Sequence, residues 1–315
     1  AFARAWRTRT ALGLVADPLT NAFRLVHAAG DLLPGLIVDL YGATAVVQCH
    51  SWGMYLEREA IVQGLRDVLG PEHLQAVYLK SRSTLARRFR EELSDGYLFG
   101  DGDGTLTVVE NGHQFEVNLV TGQKTGFFLD QRDNRQLLTR YAEGARILNT
   151  FCYSGGFSIY ALAAKAAQVD SVDVSAKAIA LCERNVILNK LPSDRHRAIT
   201  SEVLPFLKAA DAYDIVIVDP PAYAKSFAKR HQAVQGYKRL NLAAMERVRP
   251  GGLLFTFSCS QVVDRQLFQD TIVAAGLETG RSARVLHQLT QGPDHPVNLF
   301  QPEGSYLKGL VVQLD

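Results

Sequence analysis

From about Gly126 to its end, the chain alternates short apolar, β-branched runs with helix-length amphipathic stretches, and this pattern restricts the fold more than any other feature of the sequence. Strands separated by a helix must run parallel, because only a long crossover returns the chain to the same sheet edge. The period predicts strands at 146–151, 169–173, 196–200, 213–219, 252–258, 283–289 and 306–313, with helices between them including 176–189, 240–248 and 262–275. The last two strands are joined by 290–305, which has no helical pattern, so the final strand should lie antiparallel beside its predecessor. The expected fold is α/β: a doubly wound, mostly parallel, seven-stranded sheet.

The first part of the chain has a different pattern. A helix is expected over 2–15, short strands at 23–28, 36–40 and 44–50, a helix at 54–69, a strand at 76–80, and a hairpin pairing 106–110 with 114–118 across Asn111-Gly112. Residues 1–120 therefore read as a smaller N-terminal α+β domain and 121–315 as the doubly wound domain. Arg82, Arg87, Arg88 and Arg90 form either a solvated face or a stripe facing nucleic acid. A formal charge of +2 excludes binding through bulk positive charge, so an anionic partner must be gripped locally. There is no apolar run of membrane-spanning length and no leader-like N-terminus, which leads to the expectation of a soluble, cytoplasmic protein without a membrane partner. The four cysteines, Cys49, Cys152, Cys182 and Cys259, stand far apart without clustered histidines, so reduced thiols and no metal site are expected.

Open α/β sheets bind ligands beyond the carboxyl ends of their strands. After the first strand of the sheet comes Cys152-Tyr153-Ser154-Gly155-Gly156-Phe157, where paired glycines admit a ligand close to backbone ahead of a helix N-terminus. Asp173 ends the second strand, placed either to accept bonds from ribose hydroxyls or to cap a helix. Glu202 follows the third and could accept from an adenine amino group or simply begin a helix. Asp219-Pro220-Pro221-Ala222 ends the fourth, a stiff loop able to hold a flat base. The G-x-G-x-x-G turn of nicotinamide dehydrogenases is absent.

Thr150 to Phe157, Val172-Asp173, Asp214 to Ala222 and Leu254 to Ser260 resemble the ordered motifs of class I S-adenosylmethionine-dependent methyltransferases. Over nearly the whole chain the sequence resembles the large-subunit ribosomal RNA cytosine-C5 methyltransferases that carry an N-terminal PUA domain. The resemblance runs through Lys124 to Arg135, Gly236-Tyr237-Lys238, Thr256 to Ser260, Asp294-His295-Pro296 and Glu303 to Gly309. It implies S-adenosylmethionine held by Phe128, Asp130, Gln131 and Arg132, by Asn149, Phe151, Tyr153, Ser154, Gly155 and Gly156, and by Asp173, Val174, Glu202 and Asp219. RNA, in particular ribosomal RNA, is the implied partner, and a homodimer is allowed. The sequence departs from the family in two ways. It begins within what resembles the family's middle domain, so the expectation is that the PUA domain is absent, and Ser201-Glu202 stands where the family has an Asp pair.

Cytosine C5 needs a nucleophile to add at C6 before it can accept a methyl group, and a cysteine does this best. Cys259, at the carboxyl end of the fifth strand, is the expected nucleophile. Cys49 and Cys182 fit a core, Cys182 sharing a helix face with Ile179 and Val186, while Cys152 borders the glycine turn. The base that removes the C5 proton is expected to be Asp219, or else Asp294 or His295. Lys225, Lys229, Arg230, His231, Lys238 and Arg239, interleaved with Tyr223, Phe227 and Tyr237, suit single-stranded RNA or form a solvated loop. Two rivals stay open: a methyltransferase acting on a purine nitrogen, which needs no cysteine, and a non-catalytic RNA-binding assembly factor.

Overall fold

The computed structural model describes residues 1–89, 93–224 and 226–315; Arg90 and Lys225, singled out above as cations for nucleic acid, lie outside the described residues. The chain divides into two compact units, Ala1–Arg132 with Gly292–Gly304, and Asp133–Gln291 with Ser305–Asp315.

In the first unit, α1 (Phe2–Ala11) precedes β1 (Ala22–His27), β2 (Leu36–Tyr41) and β3 (Thr44–Cys49). The helical stretch that follows is two helices, α2 (Trp52–Leu56) and α3 (Arg58–His73), divided at Glu57; Ser51 caps the first by accepting from the Met54 N–H at 3.3 Å. They cross over to β4 (Ala76–Leu79), which is parallel to β3; β5 (Gly96–Phe99) completes the sheet in the order β1-β2-β3-β4-β5. The sequence reading missed β5, whose four residues are too few to display a period. Ile61, Val62, Leu65 and Leu69 of α3 recur at helical spacing and bury against Leu36, Val38, Val47 and Leu79 of the sheet. The hairpin of β6 (Thr105–Glu110) and β7 (His113–Asn118) turns at Asn111 and Gly112, both with positive φ, as the tight turn of a right-twisted hairpin requires.

The second unit carries α4 (Arg132–Ala142), β8 (Arg146–Thr150), α5 (Gly156–Ala163), β9 (Gln168–Asp173), α6 (Ala176–Leu188), β10 (His196–Thr200), α7 (Val203–Ala209) and β11 (Tyr213–Val218). These are followed by α8 (Arg230–Met245), β12 (Val248–Ser258), α9 (Arg265–Thr279), β13 (Ala283–Leu289) and β14 (Lys308–Leu314). The seven strands stand in the order β10-β9-β8-β11-β12-β14-β13. β14 inserts between β12 and β13, antiparallel to both, as a helix-free connection dictates. The expected doubly wound, mostly parallel sheet is therefore present. The central strand β11 is almost wholly buried and reads as an unbroken apolar run, Ile215-Val216-Ile217-Val218. Leu207 of α7, Leu240 of α8 and Phe268 of α9 share one core with Leu148, Val216 and Leu254 of the sheet.

Helix α8 begins at Arg230, not near 240. Ala233, Tyr237, Leu240 and Ala244 continue one buried stripe through a segment whose Lys, Arg and Gln residues disguise it as loop. Tyr237 is fully buried against Phe268 and Tyr223, which removes it from the set of rings able to stack on RNA. Lys238 is paired with Glu278. Phe227, 73% exposed, remains at the surface with Lys229, Arg230 and His231.

Candidate active site

The turn that leaves β8 is held in an unusual backbone conformation. Phe151, Tyr153 and Gly155 have φ of 55°, 46° and 78°, and a non-glycine residue in that region costs about 1–3 kcal/mol unless its surroundings hold it there. The Asp173 carboxylate is one clasp: Oδ2 accepts the Tyr153 N–H at 3.1 Å while Oδ1 accepts that of Ser175 at 2.9 Å. The helix-cap alternative for Asp173 therefore falls away, because Ser175 is the residue that caps α6, accepting from the Ala178 N–H. Asn185 of α6 donates to the Ser154 carbonyl at 2.9 Å. Gly155 opens α5 directly over Cys182, and a Cβ at that position would overlap the Cys182 sulfur. Asn149 lies beneath the turn, donating to Ser158 Oγ at 2.8 Å in a buried chain that continues through Ser171 to His196. Gly156 packs beside the Arg135 side chain.

Beyond these strand ends lies a cavity of about 480 Å³ lined by Phe151, Val174, Glu202, Leu204, Tyr223 and Arg239, among others. It brings together expected residues from the ends of β8, β9 and β10 with one face of α8. Val174 is 66% exposed and presents a bare apolar surface to solvent. Glu202 starts α7 but makes no side-chain cap bond there. Arg239 and Tyr223, read from sequence as RNA contacts, are walls of this cavity; burial pushes the Tyr223 phenol up to about 12, so it stays protonated. Val203, Leu204 and Gln232 were not foreseen, since nothing in an amphipathic helix start distinguishes a cavity wall from a core face.

β11 and β12 are parallel neighbours with Val218 opposite Thr256, so their carboxyl ends are adjacent. Asp219 is half-buried at the first end and Cys259 half-buried at the second. Ser260 ties the two loops together by donating from Oγ to the Ala224 carbonyl at 2.7 Å. Lys308 of β14 reaches the same place and donates to the Ser260 carbonyl at 2.6 Å. The sequence signal for it was a lone cation opening the apolar run Leu310-Val311-Val312 of a buried strand. Cys49, Cys152 and Cys182 are buried.

Phe128, Asp130, Gln131 and Arg132 belong to the first unit. There Lys124 pairs with Asp130 at 2.7 Å and lies over the Phe128 ring, Gln131 is buried, and Arg132 pairs with Asp294 at 2.9 Å. Asp294 also accepts the Arg24 N–H at 3.0 Å and contacts His295 Nδ1 at 3.0 Å. Burial alone would raise Asp294, but His295, Arg132 and the Arg24 N–H together hold it well below the usual carboxylate range. Burial and the Arg24 charge also push His295 down. Asp294 is thus fully buried and held in its charged form.

The family model for S-adenosylmethionine-dependent methyltransferases matches residues 56–307. The chain belongs to that family. Methyltransferase-family relatives named ribosomal RNA large subunit methyltransferase I are similar throughout. The one from Aeromonas hydrophila is 40% identical over 309 residues, covering 96% of this chain and 77% of its own length, and the one from Pseudoalteromonas atlantica is 41% identical over 300 residues, covering 93% and 75%. Among solved structures, the methyltransferase SMU.776 complexed with SAH superposes with a TM-score of 0.86 at 25% identity, over 99% of this chain and 80% of that one. The tRNA m1G37 methyltransferase of M. jannaschii shares the fold, with a TM-score of 0.61 at 16% identity over 95% of this chain and 77% of its own. S-adenosylmethionine is accordingly the methyl donor of this methyltransferase, and the cavity fits an adenosine: apolar walls for a ring, Glu202 at its rim, and a carboxylate at the end of the neighbouring strand. Among the described residues no helix is long and apolar enough to cross a membrane, and no cluster of His, Cys, Asp and Glu could hold a metal.

Proposed function

We propose that this methyltransferase acts on C5 of a cytosine in large-subunit ribosomal RNA, with Cys259 as covalent nucleophile. The half-buried Cys259 thiol, one strand away from the Asp219-Pro220-Pro221-Ala222 loop and tied to it through Ser260, carries the reading. The names of the relatives near 40% identity support the substrate class.

In this reading the Cys259 sulfur bonds to C6 of the ring and the C5–C6 electron pair moves to C5, which forms the new bond to the methyl carbon. S-adenosylmethionine supplies that methyl on a sulfonium centre. A base then takes the C5 proton, the pair re-forms the C5–C6 double bond, and sulfur leaves. Asp219, half-buried beside the thiol's strand, is the residue assigned to that proton. Phe151, Val174 and Leu204 hold the adenine ring, Glu202 accepts from its amino group, and Asp173 accepts from the ribose hydroxyls. Phe227, Lys229 and Arg230, exposed ahead of α8, suit a splayed base and the phosphates beside it.

Two measurements test this. With labelled cofactor and large-subunit ribosomal RNA, the label should appear as 5-methylcytosine; label on a purine nitrogen would refute the assignment of C5. In calorimetry, Asp173→Ala should weaken S-adenosylmethionine binding by about 1.5–3 kcal/mol, the range for hydrogen bonds to a charged group. Unchanged affinity in the folded variant would leave Asp173 only as the clasp of the Tyr153 turn.

A further inference from the structure

We propose that Lys308 is the positioning residue that holds Cys259 as a thiolate. Lys308 is the first residue of β14 and lies opposite Ser258 in the antiparallel pairing with β12, so it stands across from the residue that immediately precedes the thiol. Its Nζ donates to the carbonyl of Ser260, the residue that immediately follows. The Lys308 backbone on one side and its ammonium on the other thereby bracket Cys259. Lys308 is 5% exposed, and its charge has no salt-bridge partner among the described residues. A buried ammonium is costly without an anion beside it, and one carbonyl satisfies only one of its three donors. A thiolate at Cys259 supplies the missing charge.

The surrounding groups fit this pairing. Burial lowers Lys308 to about 8 and Arg265 adds to the fall, while Cys259 and Asp264 oppose it. From α8, the buried Tyr237 phenol faces Cys259 and Ser258; burial raises it well above its ordinary value, and its hydroxyl makes no hydrogen bond of normal geometry among the described residues. It therefore remains a neutral donor next to the sulfur. The ionisation balances simply. The Cys259 S–H bond breaks, its proton leaves to water, Nζ keeps all three of its protons, and the ammonium and thiolate together carry no net charge.

The purpose assigned to this pair rests on the covalent reading above, but its test needs no RNA. The rate at which iodoacetamide alkylates Cys259 is followed against pH in the full chain, resolved by peptide mass spectrometry so that the three buried cysteines do not interfere. The wild-type midpoint should lie at least one pH unit below that of an ordinary thiol, which is about 8.5. Lys308→Met should raise it by one unit or more, and Lys308→Arg should restore most of the loss. A wild-type midpoint at or above the ordinary value overturns the proposal even if Lys308→Met fails to fold, as does an unchanged midpoint in a Lys308→Met variant with wild-type thermal unfolding. A low midpoint that rises in Lys308→Met, with no covalent capture of RNA, would support the pair and reject the C5 chemistry.

Discussion

Cys259→Ala is expected to form no covalent complex with RNA containing 5-fluorocytosine and to methylate no RNA, whereas the wild-type chain with cofactor is trapped in a complex that survives denaturant. Once C5 has accepted the methyl group, sulfur can leave C6 only after the other substituent at C5 departs as a cation. A proton can do so and fluorine cannot, so chemistry stops at the adduct. The variant removes one sulfur atom from a half-buried strand end, and its fold and cofactor affinity should survive. Cys152→Ala should still be trapped, because that thiol is buried within the glycine turn, against the Tyr153 carbonyl. A purine-nitrogen methyltransferase would give no adduct with either protein and would keep its activity in Cys259→Ala. Methylation at the wild-type rate by Cys259→Ala would end the covalent mechanism.

Asp294→Ala should be the most destabilising single change in the first unit, by about 3–5 kcal/mol in urea unfolding, the scale on which buried ion pairs fail when one partner is removed. The carboxylate meets Arg132, the Arg24 N–H and His295, and the Asp294 carbonyl accepts from Arg9, whose guanidinium also pairs with Asp31. Without Asp294, the buried Arg132 guanidinium loses this ion pair. Asp294→Asn, which keeps the shape but not the charge, gives the pH dependence. The folded protein holds Asp294 below its unfolded value, so its contribution is complete above about pH 3.9 and is lost as pH falls further. The gap in stability between wild type and Asp294→Asn should therefore be constant from neutrality down to about that pH and narrow below it. A loss under about 1 kcal/mol for Asp294→Ala would mean that the site collapses without strain.

The sheet was legible because a buried parallel strand writes itself as an unbroken apolar run, as at Ile215 to Val218, and because the absence of a helix between the last two strands fixes their direction. The placement of the glycine turn, Asp173, Glu202, Asp219 and Cys259 at strand ends was legible because strand ends can be counted. What stayed hidden depends on contacts distant in sequence. Tyr237 looked like a ring for RNA because its partners Phe268 and Tyr223 come from other segments, and Lys238 looked free because Glu278 lies one helix away. Asp294 and His295 followed a parallel strand on the active face of the sheet, yet their loop belongs to the other unit, where Asp294 pairs with Arg132 beside the Arg9–Asp31 and Arg24–Asp39 pairs. Lys308 was visible as a residue but not as a neighbour of Cys259, since that depends on the register between β12 and β14.

The return of 292–304 to the first unit also bears on how the protein is made. Asp294 bonds to Arg24 across 270 positions, and its carbonyl to Arg9 across 285. A ribosome adding about 5–20 residues per second releases the N-terminal helix and sheet long before that anion exists. During that interval Arg9 and Arg24 have Asp31 and Asp39, whereas the Arg132–Asp294 pair has yet to form. The ionic centre of the first unit is thus among the last parts of the molecule to close, and it closes only after the strands of the second unit up to β13 have been synthesised.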